Sequence, residues 1–398
     1  MRLQAMVAGG LLAPLVLCVA GCDDFRSNTT TTQAANTASA PAAASNTLLA
    51  SAAPQMIAPP VQVQSNPSSP TALAPPLTLA MTEGSSAPEA KAIDAAAFGS
   101  RRTLAAQRDL LIKAQVILDR AHFSPGVIDG RNGTNFRRAL SAFEAANNVA
   151  APTSGGLAKL DAGAWQALTT ADSAPVTQDY VIILDDVKGP FLGTIPTAMI
   201  DQAKLPHLGY TSAAQGLAEK FHMDEALLRA LNPKVDFASA GTSIVVVRPA
   251  ATALPPVARV EVDKSIDEVR AYDNSGKIVA MFPATVGSRE RPAPSGQYAV
   301  RGVVTNPTYT YDPGRLTFGN ASHGKFTIQP GPNNPVGSTW IDLSIQTYGI
   351  HGAPDPTQIG KVASHGCVRL TNWDAADLGR AVKAGTPVLF VGAQRRAA

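Results

Sequence analysis

The chain has 398 residues, enough for two or three domains, and its 45% apolar content can supply a real core. Only 16% of the residues are charged while Ala, Pro, Ser and Thr abound, so part of the chain is expected to stay unfolded. A net charge of +3, from 33 basic and 30 acidic residues, with no basic run interleaved with aromatics, argues against a nucleic-acid partner.

The first segment, MRLQAMVAGGLLAPLVLCVAGCDDF, reads as an export signal over residues 1–21. Arg2 gives the positive start, and Met6 to Leu17 is apolar but too short to span a bilayer stably. Val19-Ala20-Gly21-Cys22 resembles a bacterial lipobox, in which cleavage leaves Cys22 carrying lipid; a plain signal cut at nearby small residues is the alternative. Several acyl chains on one residue are enough for stable anchoring. Cys18 then lies in the discarded segment, so Cys367 is the thiol that remains. In an oxidising compartment a lone thiol needs either burial or a job.

Residues 22–100 follow as a low-complexity Ala/Pro/Ser/Thr linker. A coil of about 75 residues has a mean span on the order of 50 Å and stretches to about 240 Å. Next, Leu111, Ala114, Leu118 and Ala121 recur at helical spacing, and Phe136, Leu140 and Phe143 do so after a turn-rich gap. A last helix is expected over Leu160–Leu168 with Asp161 as its N-cap. With Gln115, the Pro125-Gly126 and Asp129-Gly130 turn and Asn132-Gly133, residues 101–170 resemble a small peptidoglycan-binding domain.

Residues 176–250 form the next unit. Leu217 and Phe221 mark one helix, Leu227, Leu228 and Leu231 a second that Asn232-Pro233 stops, and Ile244 to Val247 a strand. The order resembles a LysM-type glycan-binding module, although Tyr210-Thr211-Ser212 replaces the usual opening turn. His222 is expected to face solvent on its helix. From residue 256 to 393 the pattern turns to strands: 257–262, 268–272, 277–282, 296–302, 325–329, 339–343, 345–350 and 388–391, with one helix over 373–383 stopped by Gly385.

Cys367 admits three readings. It is a buried core thiol, though polar and turn-forming neighbours argue against that. It is a zinc ligand with His351 and His365, though the spacing offers no regular fourth ligand beyond His323. Or it is a nucleophile whose proton passes to an imidazole, the ion pair lowering the thiol pKa. His351 ends an expected strand that can aim its ring, and the Gly352 carbonyl can set the tautomer. Gly366 suits a tight turn with N–H groups facing an oxyanion.

The segment IHGAPDPTQIGKVASHGCVRL, 350–370, resembles the signature of the L,D-transpeptidase (YkuD-type) catalytic domain. Pro294-Ser295-Gly296, the 330–337 stretch before the His strand, and the closing Gly385-Thr386-Pro387-Val388 agree with it. The resemblance implies a multidomain chain. Its catalytic domain would be mainly β, an L,D-transpeptidase-like sandwich, with small α-helical and βααβ modules N-terminal to it. It implies Cys367 as nucleophile, His351 as general base, Gly352 as its backbone orienter, and His365 and Gly366 shaping the turn and oxyanion site. Arg369 and Ser364 become candidate substrate binders, while Trp340 and Tyr348 are expected in the core or lid. No metal or organic cofactor is implied.

The expected activity is transfer of a peptidoglycan tetrapeptide stem, less its terminal D-Ala, to an amine, with carbapenems acylating Cys367. The amine belongs to a second stem, giving 3-3 cross-links, or to a wall-attached protein. The rival readings are an L,D-carboxypeptidase on the same site and a non-catalytic wall-binding scaffold. The expected setting is periplasmic, on a membrane-anchored lipoprotein of a Gram-negative bacterium. Partners are then stem peptides, glycan strands and, through Cys22, the membrane.

Overall fold

The computed structural model describes residues 84–99, 103–149, 156–288, 291–313, 321–362, 364 and 366–394. The export signal, Cys22, most of the linker and His365 lie outside them.

Four helices come first: α1 (Pro88–Asp94), α2 (Leu104–Arg120), α3 (Thr134–Ala146) and α4 (Ala162–Ala171). The periodic apolar residues of α3 point inward, with Phe136, Leu140 and Phe143 buried. Asp161 caps α4 through the Ala164 N–H at 2.9 Å, as its sequence position predicts. Buried Gln115 holds the turn that follows α2: its carbonyl accepts from the N–H groups of Asp129 and Gly130, and its amide donates to Asp129. Helix α1 falls inside the segment expected to be linker. Its Ala90 and Ile93 are fully buried, so two apolar side chains one turn apart suffice to recruit the end of an otherwise low-complexity stretch.

The next unit runs β1 (Thr177–Val181), α5 (Leu184–Val187), α6 (Met199–Gln202), α7 (Ala213–Lys220), α8 (Glu225–Leu231) and β2 (Ser243–Val247). Strands β1 and β2 pair antiparallel, giving the expected βααβ frame with a long excursion over 182–212. This unit and the helices before it are not separate beads. Ile112, Phe136 and Leu140 share one core with Leu217, Phe221 and Leu231. His222 differs from expectation. It follows α7 with φ +55°, stacks on Trp373 at 4.9 Å and bonds Asp119 at 3.0 Å. Its left-handed backbone turns the ring inward, which a helical count along the sequence does not reveal.

The C-terminal domain has strands β3 (Arg259–Asp263), β4 (Glu268–Tyr272), β5 (Ile278–Pro283), β6 (Thr285–Val286), β7 (Gly296–Thr305), β8 (Tyr309–Tyr311), β9 (Phe326–Ile328), β10 (Thr339–Leu343), β11 (Gly349–His351), β12 (Val368–Arg369) and β13 (Pro387–Val391). Helix α9 (Asn372–Ala381) lies between β12 and β13. The main sheet has the order β5-β4-β3-β13-β7-β10-β11-β12-β6, and β8 and β9 pair apart from it. Strand β7 is long enough to serve two neighbours: residues 296–299 pair with β13, and 300–305 with β10. The two ends of the sheet share one core, in which Val260, Val269 and Phe282 meet Ile341, Ile350 and Val368. Edge strand β5 is covered by the loop after α2, where the Ser124 N–H donates to the Met281 carbonyl at 2.8 Å.

The middle unit also seals against this domain. The Leu208 N–H donates to the Pro330 carbonyl at 2.8 Å and the Asn333 N–H to the Leu208 carbonyl at 2.9 Å. Gly331, at φ +145°, leaves no room for a side chain: a Cβ there would sit 2.1 Å from the Leu208 carbonyl oxygen. Gly331→Ala is therefore expected to cost about 2 kcal/mol or more, through strain and the broken seam. A thermal melt should show a lowered Tm, and an unchanged Tm would mean that the two units do not pack this tightly.

Candidate active site

Residues opposite one another in paired strands face the same way, and neighbours along a strand alternate. Trp340 of β10 pairs with His351 of β11, and His351 pairs in parallel with Arg369 of β12. These three side chains therefore share one face. Cys367, two residues before Arg369, continues it and packs against the cluster that holds Trp340, Tyr309 and Leu208. Ile341, Ile350 and Val368 face the other way, into the main core. A strand of only three residues carries the histidine, shorter than the sequence pattern suggests. Thr347, at φ +74°, turns the chain just before it.

His351 is buried, and its ring is held from two sides. It stacks on the Trp340 indole at 5.3 Å between centroids and 19° between planes. Its Nδ1 lies 2.7 Å from the Gly352 carbonyl oxygen, which makes Nδ1 the protonated nitrogen and leaves Nε2 as the base. Burial drives the imidazole down to about 3, and the Arg369 charge adds to this, against the Gly352 bond.

The Cys367 thiol donates to the Thr347 carbonyl oxygen at 3.7 Å. Burial pushes its pKa up, opposed by the Gly349 N–H and by the positive charge of Arg369. The resting pair is thus thiol and neutral imidazole rather than the ion pair expected from sequence. Both charged forms pay to leave water, and the Gly349 N–H, the Arg369 charge and the Gly352 carbonyl offset that cost only in part.

Arg369 is partly buried, with its pKa lowered by burial and raised back by Cys367 and Tyr309. Among the described residues no carboxylate forms an ion pair with it. Tyr309 and Tyr348 flank the sulfur; burial, with the Cys367 charge next, lifts both phenols to about 12, so both remain O–H donors. Tyr309 carried no signal in the sequence, because it sits in the short β8–β9 pair rather than in the main strands.

The turn before Cys367 is tied together by Ser364. Ser364 is buried, donates to the Cys367 carbonyl at 2.7 Å and accepts from the Gly366 N–H at 3.3 Å. It holds the turn. The Gly366 N–H thus bonds inside the turn. Gly366 itself is required there: φ is +121°, and a Cβ would come within 3.1 Å of the Tyr348 hydroxyl.

Comparison with known proteins gives the following. Residues 258–389 match the family model for the YkuD L,D-transpeptidase catalytic domain. "Putative L,D-transpeptidase YkuD" of Bacillus licheniformis is 47% identical over 68 residues, 16% of this chain and 41% of that protein. "Putative L,D-transpeptidase YqjB" of Bacillus subtilis is 29% identical over 144 residues, 34% of this chain and 73% of that one. Among solved structures, L,D-transpeptidase 3 from Mycobacterium tuberculosis with a faropenem-derived adduct is 17% identical, with 38% of this chain and 75% of that chain covered and a TM-score of 0.29. The chain spans about two fifths of the length of the first curated relatives it matches, 41% and 42%.

A neutral thiol with a raised pKa has a plain kinetic signature. Alkylation of Cys367 by iodoacetamide should keep accelerating as pH rises past 9, the ordinary thiol value. A rate already on its plateau near neutral pH would show a resting ion pair instead.

Proposed function

Because residues 258–389 are an L,D-transpeptidase catalytic domain of the YkuD family, we propose that the chain transfers peptidoglycan stem peptides through a thioester on Cys367. One observation carries the assignment of roles: the register that sets His351, Arg369 and Cys367 on one face, walled by Trp340 and Tyr309. His351 Nε2 takes the thiol proton as the sulfur turns from Thr347 toward the substrate. The thiolate attacks the carbonyl of the L-centre of the stem's diamino acid. The oxyanion forms beside the neutral phenols of Tyr309 and Tyr348; Tyr309 would donate to it, and Tyr348 could do so only by leaving the Pro292 carbonyl, to which its hydroxyl donates at 3.4 Å. The C–N bond breaks, and the D-Ala nitrogen leaves with the proton held by His351. An acceptor amine then attacks the thioester, gives its proton to His351, and the sulfur departs and is reprotonated.

Arg369 offers the substrate a docking point beside the sulfur. Arg369 faces the sulfur without a carboxylate partner among the described residues, so a substrate carboxylate would meet a half-dehydrated cation there. Gly352 orients the base; Gly366 and Ser364 shape the turn. His365 lies outside the described residues, and its part in the turn is carried by the family resemblance alone. The amine acceptor belongs to a second stem, forming a 3-3 cross-link, or to a wall protein. Export and a lipid on Cys22 would place the enzyme in the periplasm on a tether. The helical and βααβ units would add wall contacts that raise the local concentration of stems.

The test is to incubate purified protein with sacculi and read the muropeptides by mass spectrometry. Dimers joined between two diamino acids, absent with Cys367→Ala, support transfer to a stem. Tripeptides without dimers would point to hydrolysis instead. No change with wild-type protein, together with no carbapenem adduct at Cys367, would leave a wall-binding scaffold.

A further inference from the structure

The peptide that orients His351 is held by strand β10 and also from outside the strands. Gly352 donates its N–H to the Thr339 carbonyl at 3.0 Å, and its own carbonyl meets the His351 ring. Its α-carbon lies flat against the carboxamide of Asn372, the first residue of α9. A Cβ at 352 would fall 2.1 Å from Asn372 Oδ1, and one at Gly337 2.2 Å from the same atom. That Oδ1 accepts from the Ser338 N–H at 3.0 Å. The Asn372 side chain is thus a wedge between two glycine backbones, one of which ends on the histidine.

The other half of the carboxamide leaves the domain. Asn372 Nδ2 donates to both carboxyl oxygens of Glu219, at 3.1 and 3.3 Å, and to the Pro332 carbonyl at 3.1 Å. Glu219 belongs to α7 of the βααβ unit and accepts from the Tyr210 hydroxyl at 3.0 Å. Burial raises its pKa, opposed by the bonds from Asn372 and Tyr210. A partly buried carboxyl carries a desolvation cost that its partners offset, so the contact is specific rather than incidental. A continuous path of short contacts then runs Tyr210, Glu219, Asn372, Gly352, His351.

We infer that Asn372 and Glu219 are positioning residues for His351, so that the aim of the base depends on the βααβ unit being docked through Glu219. The inference rests on the reading of His351 as base. It adds that a module outside the catalytic domain supplies part of that base's support. Neither residue touches substrate; each acts through the Gly352 peptide.

The experiment uses the full chain and a carbapenem, with acylation of Cys367 followed by intact mass to give kinact and KI, and Tm as the check of folding. Asn372→Asp keeps the acceptor for Ser338 but sets a second carboxyl against Glu219. It should lower kinact by about 10- to 100-fold while KI stays within about twofold. Adding Glu219→Gln returns a donor to the pair and should bring kinact back to within about threefold of wild type. Glu219→Ala, which leaves the catalytic domain's own sequence intact, should lower kinact by about three- to tenfold. If Asn372→Asp does not fold, Glu219→Ala decides alone. An unchanged kinact in a folded variant overturns the inference, as does a loss that the paired substitution fails to reverse. No adduct on the wild-type protein would instead refute the role given to Cys367, and the inference with it.

Discussion

Everything at this site follows from the parallel pairing of β11 with β12. One hydrogen-bonded register sets His351 beside Arg369 and carries Cys367 onto the same face. A slip of one residue would turn the histidine into the core and bring Ile350 to the cleft. Such a short pairing cannot hold itself. It is braced by β10 and β6 on its outer edges, and by the Leu370 N–H, which donates to the His351 carbonyl at 2.8 Å. Burial of Ile341, Ile350 and Val368 beneath the pair fixes which way each strand faces.

The same burial sets the electrostatics. Trp340, Tyr309 and Leu208 line the partly buried cysteine and limit its water, so both the thiolate and the imidazolium are disfavoured at rest. The imbalance also reaches stability. His351 titrates at about 3 when folded, well below its unfolded value near 6.5. The unfolded chain therefore binds the extra proton in that window, and this contribution is complete above about pH 6.5 and lost as pH falls toward 3. Asp374, lifted to about 8 mainly by burial, acts in the opposite sense: its contribution is complete below its ordinary range and lost as pH rises through about 8. The buried groups near α9 thus pull the stability optimum in two directions.

Much of this was legible in the sequence, and the gaps have physical reasons. Local signals worked where local forces decide: the Asp161 cap, the Phe136-Leu140-Phe143 stripe, the stop after Leu231, and the strand alternation of β3 and β13. The 350–370 motif singled out Cys367 and His351, and the strand, loop and tight turn expected there are present. The bonds of Ser364 and Gly366 inside the turn went unseen because a sequence lists polar groups without showing which already bond each other. His222 looked solvent-facing because its inward turn depends on a left-handed residue, not on periodicity. Tyr309 and Asn372 were silent for a related reason: their neighbours come from distant segments, and no spacing along the chain announces them.

Reading the chain as beads on a tether misses its central construction. Two sequence units meet α9 of the C-terminal domain: the helical unit brings Ser124, whose hydroxyl donates to Asp374 at 2.9 Å, and the βααβ unit brings Glu219, which accepts from Asn372, and His222, stacked on Trp373. Such contacts are poor candidates for loose, independent modules, because they form only while the units stay docked in one geometry. A docked arrangement satisfies them all at once. It also explains why the 182–212 excursion ends with Leu208 sealed against Pro330, where its side chain joins the apolar wall that Cys367 faces. The wall that desolvates the sulfur and the wedge behind the histidine therefore both draw on the βααβ unit. The reactive face is built at the junction of units rather than within the catalytic sheet alone.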